Sequence, residues 1–507
     1  MIQEIVLTIL GALVFAHGLE FVFSCLDDPQ EPPRVRPAIP IPIIGHILGF
    51  FLYGFDYYDL LSNRNPDVEI YTIGILNFKV YITHATRLTN LMQKSKTVSL
   101  RPFLRTANKI HGDISDIAHT TFDGDLVEIF SNRTKEALAP GPHMDEQNLR
   151  MGEESVHEVS QLLNHEQKEF QLFDWAKRVI VHATGVSLFG SEHPFKDTEI
   201  AGAMWTWDEH RPGHIFGVDL LGKGYAARRK VFAAMRKYFD NMPADVSLMV
   251  RERQRILLEG GVSNEDSYKI QSTLSNAYFN TIPTLYWTIY EIYSRPSLLE
   301  TIRDEIRNQA LQKMDDTFIL DIALLQTRCP ILLSAYQETQ RVRHAQVAFR
   351  MLLGDTMIDQ YLLKKGHHLH LPARPIHKDP KIWGSHVNYF DPYRFVPAET
   401  GETIARANKI LPTSFLPWGA APWLCPARQF ATTEILIIVA LLALRVDLEP
   451  ADGAGWERDP SIEKIKIATL PHPKVGVRLK VSPRNDGLGD WGVVVGKSKA
   501  RITLASG

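Results

Sequence analysis

Trp418-Gly419-Ala420-Ala421-Pro422-Trp423-Leu424-Cys425-Pro426-Ala427-Arg428 leads into the apolar run Ile435 to Leu444. A loop of small residues and prolines that ends on a cysteine and passes into a buried helix delivers one sulfur to one place. Pro426 suits a first helical position, where its missing N–H would be an orphan anyway. The free backbone donors and macrodipole of a helix start favour an anion, so the spacing predicts Cys425 as a thiolate. Such a sulfur can be a nucleophile, a metal ligand or the axial ligand of a haem iron; the plain alternative is a small buried hydrophobe.

Two further stretches decide between these. In Glu338-Thr339-Gln340-Arg341, inside an apolar helical segment opening near Pro330, the carboxylate and the guanidinium share one helix face. Phe390-Asp391-Pro392-Tyr393-Arg394-Phe395 lies between that helix and the cysteine loop. In order and spacing the three resemble the signature set of the cytochrome P450 superfamily, over nearly the whole chain to about Val481. The resemblance implies a mainly α haem-thiolate fold with a minor β region, one haem b (iron protoporphyrin IX) ligated by Cys425, and a buried structural cluster of Glu338, Arg341 and Arg394.

The cysteine loop departs from the family pattern in ways that carry physical meaning. Trp418 stands at its aromatic position, Ala421 and Ala427 stand where glycines are usual, and Trp423 replaces a basic residue. An alanine at a site needing positive φ costs roughly 1 kcal/mol. With the basic residue gone, Arg350 is the candidate to bind a haem propionate through a bidentate pair; a solvated surface arginine is the competing reading. The resemblance implies that Trp418 and Arg428, with Cys425 and Arg350, bind the cofactor; Arg428 also marks the face expected to meet a redox partner.

A helical segment from about Asn264 to Ser294 contains Ala277-Tyr278-Phe279-Asn280-Thr281-Ile282-Pro283. In the family an acid and a threonine here relay protons to the place where dioxygen is reduced. The acid position is Asn280, which can orient water but cannot titrate near neutral pH, so the relay would rest on Thr281 and water. Pro283 removes a helix hydrogen bond and pushes against the carbonyl of Phe279, opening a groove. The Asn-Thr-x-Pro pattern resembles the branch of cholesterol 7α-hydroxylase and sterol 12α-hydroxylase, with prostacyclin synthase further off; the chain as a whole resembles fungal members of secondary metabolism.

At the N-terminus, Ile5 to Leu26 is apolar for about the length needed to cross a bilayer. No basic residue precedes it and Arg34 and Arg36 follow it, which favours an anchor over a cleaved signal and a cytosolic domain after it. The expected divisions are a membrane anchor 1–26, a proline-rich hinge 27–45, a catalytic domain 46–482 and a tail 483–507. Val68 to Ile75 and Phe78 to Ile82 read as paired strands. Loop signals fall at Pro140-Gly141-Pro142, His193-Pro194 and Arg211-Pro212-Gly213. Trp207 and Arg211 have the spacing of a family propionate motif, but the break that follows places them instead on helices over the active site. His367, His368, His370 and His377 lack a fourth ligand at a familiar spacing, so an ordinary strand is favoured over zinc.

Three cysteines in 507 residues exclude a disulfide framework. A net charge of −2 gives no sign of nucleic-acid binding. Taken together, the resemblance implies a monooxygenase of the endoplasmic reticulum membrane, single-pass, with its catalytic domain cytosolic. It would oxidise a lipophilic terpenoid, meroterpenoid or sterol-like molecule with electrons from NADPH-cytochrome P450 reductase. The alternative is a haem-thiolate isomerase or dehydratase that needs no external electrons, as loss of the distal acid would suit.

Overall fold

The computed structural model describes residues 1–164, 166, 168–397, 411–464, 468–496 and 502–506. Its centre is the helix Arg428–Arg445, in which every residue from Phe430 onward is buried. A helix apolar on all sides can only sit inside. It packs against Pro142–Asn164 and Asn276–Tyr293. The second of these is also enclosed from Thr281 onward, and three of its aromatic side chains set their polar tips on backbone carbonyls. Trp287 Nε1 donates to Pro471 O at 2.7 Å, Tyr290 Oη to Glu457 O at 2.7 Å and Tyr293 Oη to Val446 O at 3.1 Å.

A five-stranded sheet flanks the helices in the order Ile70–Ile75, Phe78–Thr83, His368–Pro372, Val347–Leu352, Val98–Ser99. The first two strands form the expected hairpin, turning at Leu76 with φ +54. His368–Pro372 runs parallel to Phe78–Thr83 and antiparallel to Val347–Leu352. The histidines are held by ordinary contacts: His370 Nδ1 lies 2.8 Å from Tyr58 Oη, His368 packs edge-on to Phe78 and Phe103, and His377 Nε2 accepts from Leu416 N at 2.9 Å.

The apolar N-terminal helix Ile2–Cys25 contains an 18-residue window of mean hydropathy 2.1, and none of its described side chains is buried. The proline-rich segment after it is docked to the sheet through ion pairs, Asp27 to Arg34 and Lys79, and Glu31 to Lys79 at 2.6 Å.

Several local expectations need correction. Arg211-Pro212-Gly213 is no loop: Thr198–Ile215 continues through Pro212, which sits in the last turn, where only one hydrogen bond is lost. The segment expected as one helix from Asn264 is Asn264–Ser272, a 3-10 turn Thr273–Ser275, then Asn276–Tyr293. Beyond residue 482, Asp490–Val494 pairs in parallel register with Thr317–Asp321, and Ala505 N donates to Gln337 Oε1 at 2.8 Å. The described part of 483–507 is thus packed onto the Thr317–Asp321 strand and the helix carrying Gln337. Residues 497–501 and Gly507 lie outside the described residues.

Candidate active site

A cavity of about 680 Å³ lies between the Asn276–Tyr293 helix, the Val347–Leu352 strand and the cysteine loop. Cys425 lines it, with Trp418, Trp423 and Arg350. The loop is shaped by its own backbone: Cys425 N donates to Trp418 O at 3.0 Å, and Gly419 turns the chain at φ +83. Neither Ala421 nor Ala427 adopts positive φ; Ala427 sits at φ −89. The glycine positions that alanine fills therefore carry no backbone strain here.

The helix begins at Arg428, so Pro426 occupies the preceding turn and not a first helical position. The anionic help expected from the helix start is reduced to one donor, the Ala427 N–H, and the nearby charge of Arg428. Burial outweighs both and pushes the Cys425 thiol up from its ordinary value. A thiolate here thus needs a cation brought by something that binds, which is what a ligated metal supplies.

Arg350 supplies the complementary observation. It is 3 % exposed and donates to Phe349 O at 2.7 Å and Ala420 O at 2.6 Å. No carboxylate among the described residues pairs with it, and burial lowers its guanidinium to about 10. The surface reading of this arginine is excluded. Across the whole lining, Lys135, Arg211, Arg253 and Arg350 contribute cationic groups, and no aspartate or glutamate among the described residues contributes. Among the described residues Arg253, 7 % exposed, has only Gln271 and Thr134 as polar partners, with the Phe130 ring 4.1 Å away. A sulfur, a buried unneutralised cation and apolar walls fit an iron porphyrin with its two propionates.

On the other side, Asn280 lines the cavity and Thr281 does not. Thr469 donates to Asn280 Oδ1 from its backbone N at 3.0 Å and its hydroxyl at 2.9 Å, which leaves the amide Nδ2 hydrogens to face a ligand. Thr281 is buried, with its hydroxyl donating to Ala277 O at 2.7 Å. Pro283 sits inside this helix and cannot donate to the Phe279 carbonyl.

Behind the cavity, Arg341 clasps Glu338 with two bonds of 2.8 and 2.7 Å, and Arg394 Nε adds contacts of 3.1 and 3.2 Å. Asp391 N donates to Glu338 Oε1 at 3.0 Å. Arg341 also donates to His377 O and Arg394 to Trp383 O, with the Trp383 ring beneath both guanidinium groups. None of the three lines the cavity.

Lys135, Arg253 and His344 were not singled out from sequence, and no spacing marks them. Arg211 had a signal in its separation from Trp207, and both line the cavity.

Comparison with known proteins accords with this geometry. A family model described as Cytochrome P450 matches residues 268–474. A protein named cytochrome P450 monooxygenase nodJ, from Hypoxylon pulicicidum, is 30% identical over 488 residues, covering 93% of this chain and 94% of its own. The 5-beta-cholestane-3-alpha,7-alpha-diol 12-alpha-hydroxylase of Sus scrofa is 26% identical, covering 84% and 87%. Among solved structures, a cyanobacterial P450 with bound retinoic acid shares the fold at a TM-score of 0.69 and 16% identity, covering 90% of this chain and 100% of that one. The chain belongs to the cytochrome P450 family and is a haem-dependent monooxygenase.

Proposed function

We propose that the cavity is the oxidation site for a terpenoid, meroterpenoid or sterol-like substrate, with Cys425 as axial ligand of the haem and Arg350 as its propionate partner. The observation that carries this reading is the pairing of an enclosed sulfur with a buried guanidinium that the chain itself leaves unneutralised. When bound, the haem supplies reductive activation of dioxygen and insertion of one oxygen atom into the substrate.

The chain's own residues would do the following. Ala427 N–H moderates the charge on the Cys425 sulfur. Arg350 fixes a carboxylate against the cysteine loop, through its bond to Ala420 O. Asn280, pinned by Thr469, presents its amide N–H groups to a water or a substrate oxygen. Thr281 keeps lone pairs free to accept while donating to Ala277 O. The Phe279 carbonyl, without a helical donor because of Pro283, is left able to accept from a water within the helix groove. Glu338, Arg341 and Arg394 keep the Pro330–Arg343 helix and the Phe390–Phe395 segment together, a folding role.

Support for the substrate class comes from the cavity volume and from the sterol hydroxylases among the relatives. Electrons would come from NADPH through a flavoprotein reductase docking near Arg428, with the Gln3–Cys25 helix holding the domain at the endoplasmic reticulum. The test is the carbon-monoxide difference spectrum of microsomes containing the protein. A red-shifted thiolate band with NADPH and reductase, equal to that with dithionite, is expected. No such band with either reductant would overturn the assignment of Cys425.

A further inference from the structure

One cavity wall is formed by the Arg101–Gly112 helix, the last turns of Thr198–Ile215 and the start of Asn276–Tyr293. Arg211 projects from it and differs from Arg350 in its surroundings. Arg350 bonds to the cysteine loop, whereas Arg211 donates to Asn276 Oδ1 and stacks 4.9 Å above the Phe279 ring, both on the helix that carries Asn280. Its Nε lies 3.4 Å from Asp208, beyond the usual range for an N–H···O bond. Asp208, the ion-pair partner of Arg211, is absent from this lining and borders a second cavity that Arg211 and His111 also line.

Two neighbours on the same wall are also short of acceptors or donors. Trp207, 2 % exposed, has an indole N–H with no acceptor, and an indole can only donate. His111 Nδ1 is buried without a partner. Burial, with help from the charge of Arg211, lowers this imidazole to about 4, so it is neutral and adds no charge of its own. A guanidinium offers five donors in a fixed fork, and a carboxylate fills two of them at once. Around this polar corner the wall is aliphatic, with Leu100, Leu104 and Ala107.

We propose that Arg211 is a specificity-determining residue that anchors the carboxylate of a lipophilic acid substrate, orienting the hydrocarbon body toward the Cys425 side of the cavity. This rests on the reading of the cavity as the oxidation site. The acid is a terpenoid or similar polycyclic acid, and the corresponding neutral ester is a poor substrate.

The experiment is a Soret-shift titration of the haem-loaded full chain in detergent with abietic acid, oleanolic acid and their methyl esters. For at least one pair the wild type should bind the acid tenfold or more tightly than the ester. Arg211→Gln should bring that ratio close to one, and Arg211→Lys should keep part of it. Both variants must first show a carbon-monoxide band of wild-type size, which separates a lost contact from lost folding. If that criterion removes Arg211→Gln, Arg211→Lys alone decides, and an unchanged ratio counts against the anchor. Equal binding of acids and esters by the wild type, a preference that survives Arg211→Gln, or silence with all four compounds overturns the proposal. A wild type without the thiolate band before any compound is added would instead overturn the haem reading on which it rests.

Discussion

The Glu338 cluster and the cavity wall both bury charge, and they satisfy it in opposite ways. Around Glu338, two guanidinium groups, a backbone N–H and three backbone carbonyls complete one another inside the chain. Along the cavity, the buried Arg350 and Arg253 have no carboxylate among the described residues, and Cys425 is a thiol pushed upward by its own burial. Burying a charge without a partner is costly, so the first arrangement holds together by itself and the second is completed by what binds. Charge closed within the chain belongs to folding; charge left open marks where a ligand's charge enters.

The sharpest way to break that contrast is Cys425→Ser. It should abolish the thiolate carbon-monoxide band and reduce turnover to background, while thermal unfolding of the haem-free chain stays unchanged. A second, smaller effect of the opposite kind is expected from Glu338→Gln. Leaving two buried guanidinium groups without their carboxylate should cost about 3–5 kcal/mol, read from denaturant unfolding or from failure to accumulate folded protein. A stable Glu338→Gln chain with full haem content would remove the distinction.

Glu434 sharpens the comparison because it is a buried titratable group of neither kind. It is fully enclosed on the Arg428–Arg445 helix, accepts from Thr184 Oγ1 at 2.7 Å and has no cation beside it. Burial pushes its carboxyl from 4.5 up to about 8, only partly opposed by Thr184. The folded chain then keeps a proton that the unfolded chain releases as pH rises above 4.5. Its contribution to stability is full below that value and is lost as pH rises toward about 8. Glu434→Gln should match the wild type in unfolding midpoint near the acid end of this window and exceed it at the alkaline end. Parallel midpoints across the window would show that Glu434 is ionised when folded.

What could be read from the sequence, and what could not, follows the same division. The Glu338-to-Arg341 spacing, the Arg394 segment and the cysteine loop are local patterns, and local patterns report geometry that a few residues determine. The hairpin at Leu76 and the apolar N-terminal helix were legible for that reason. Pro212 and the break at Thr273–Ser275 misled because the cost of a lost helix hydrogen bond depends on its place in the helix and on packing. Asp490–Val494 looked like a tail because its partner strand lies far away in sequence. Thr281 was expected at the cavity, yet only Asn280 reaches its lining. Of the cationic wall, Arg350 and Arg211 carried a signal, whereas Lys135 and Arg253 were invisible because these residues meet only through the fold.

The most direct measurement pairs haem retention with stability of the haem-free chain in Arg350→Met. If the buried guanidinium awaits a propionate, the variant should lose haem about tenfold to hundredfold more readily, the equivalent of a charge-assisted hydrogen bond of roughly 1.5–3 kcal/mol. Its haem-free form should unfold within about 1 kcal/mol of the wild type, or later, because an apolar side chain replaces an unpaired buried cation. Unchanged haem retention together with a haem-free chain destabilised as severely as Glu338→Gln would contradict the account.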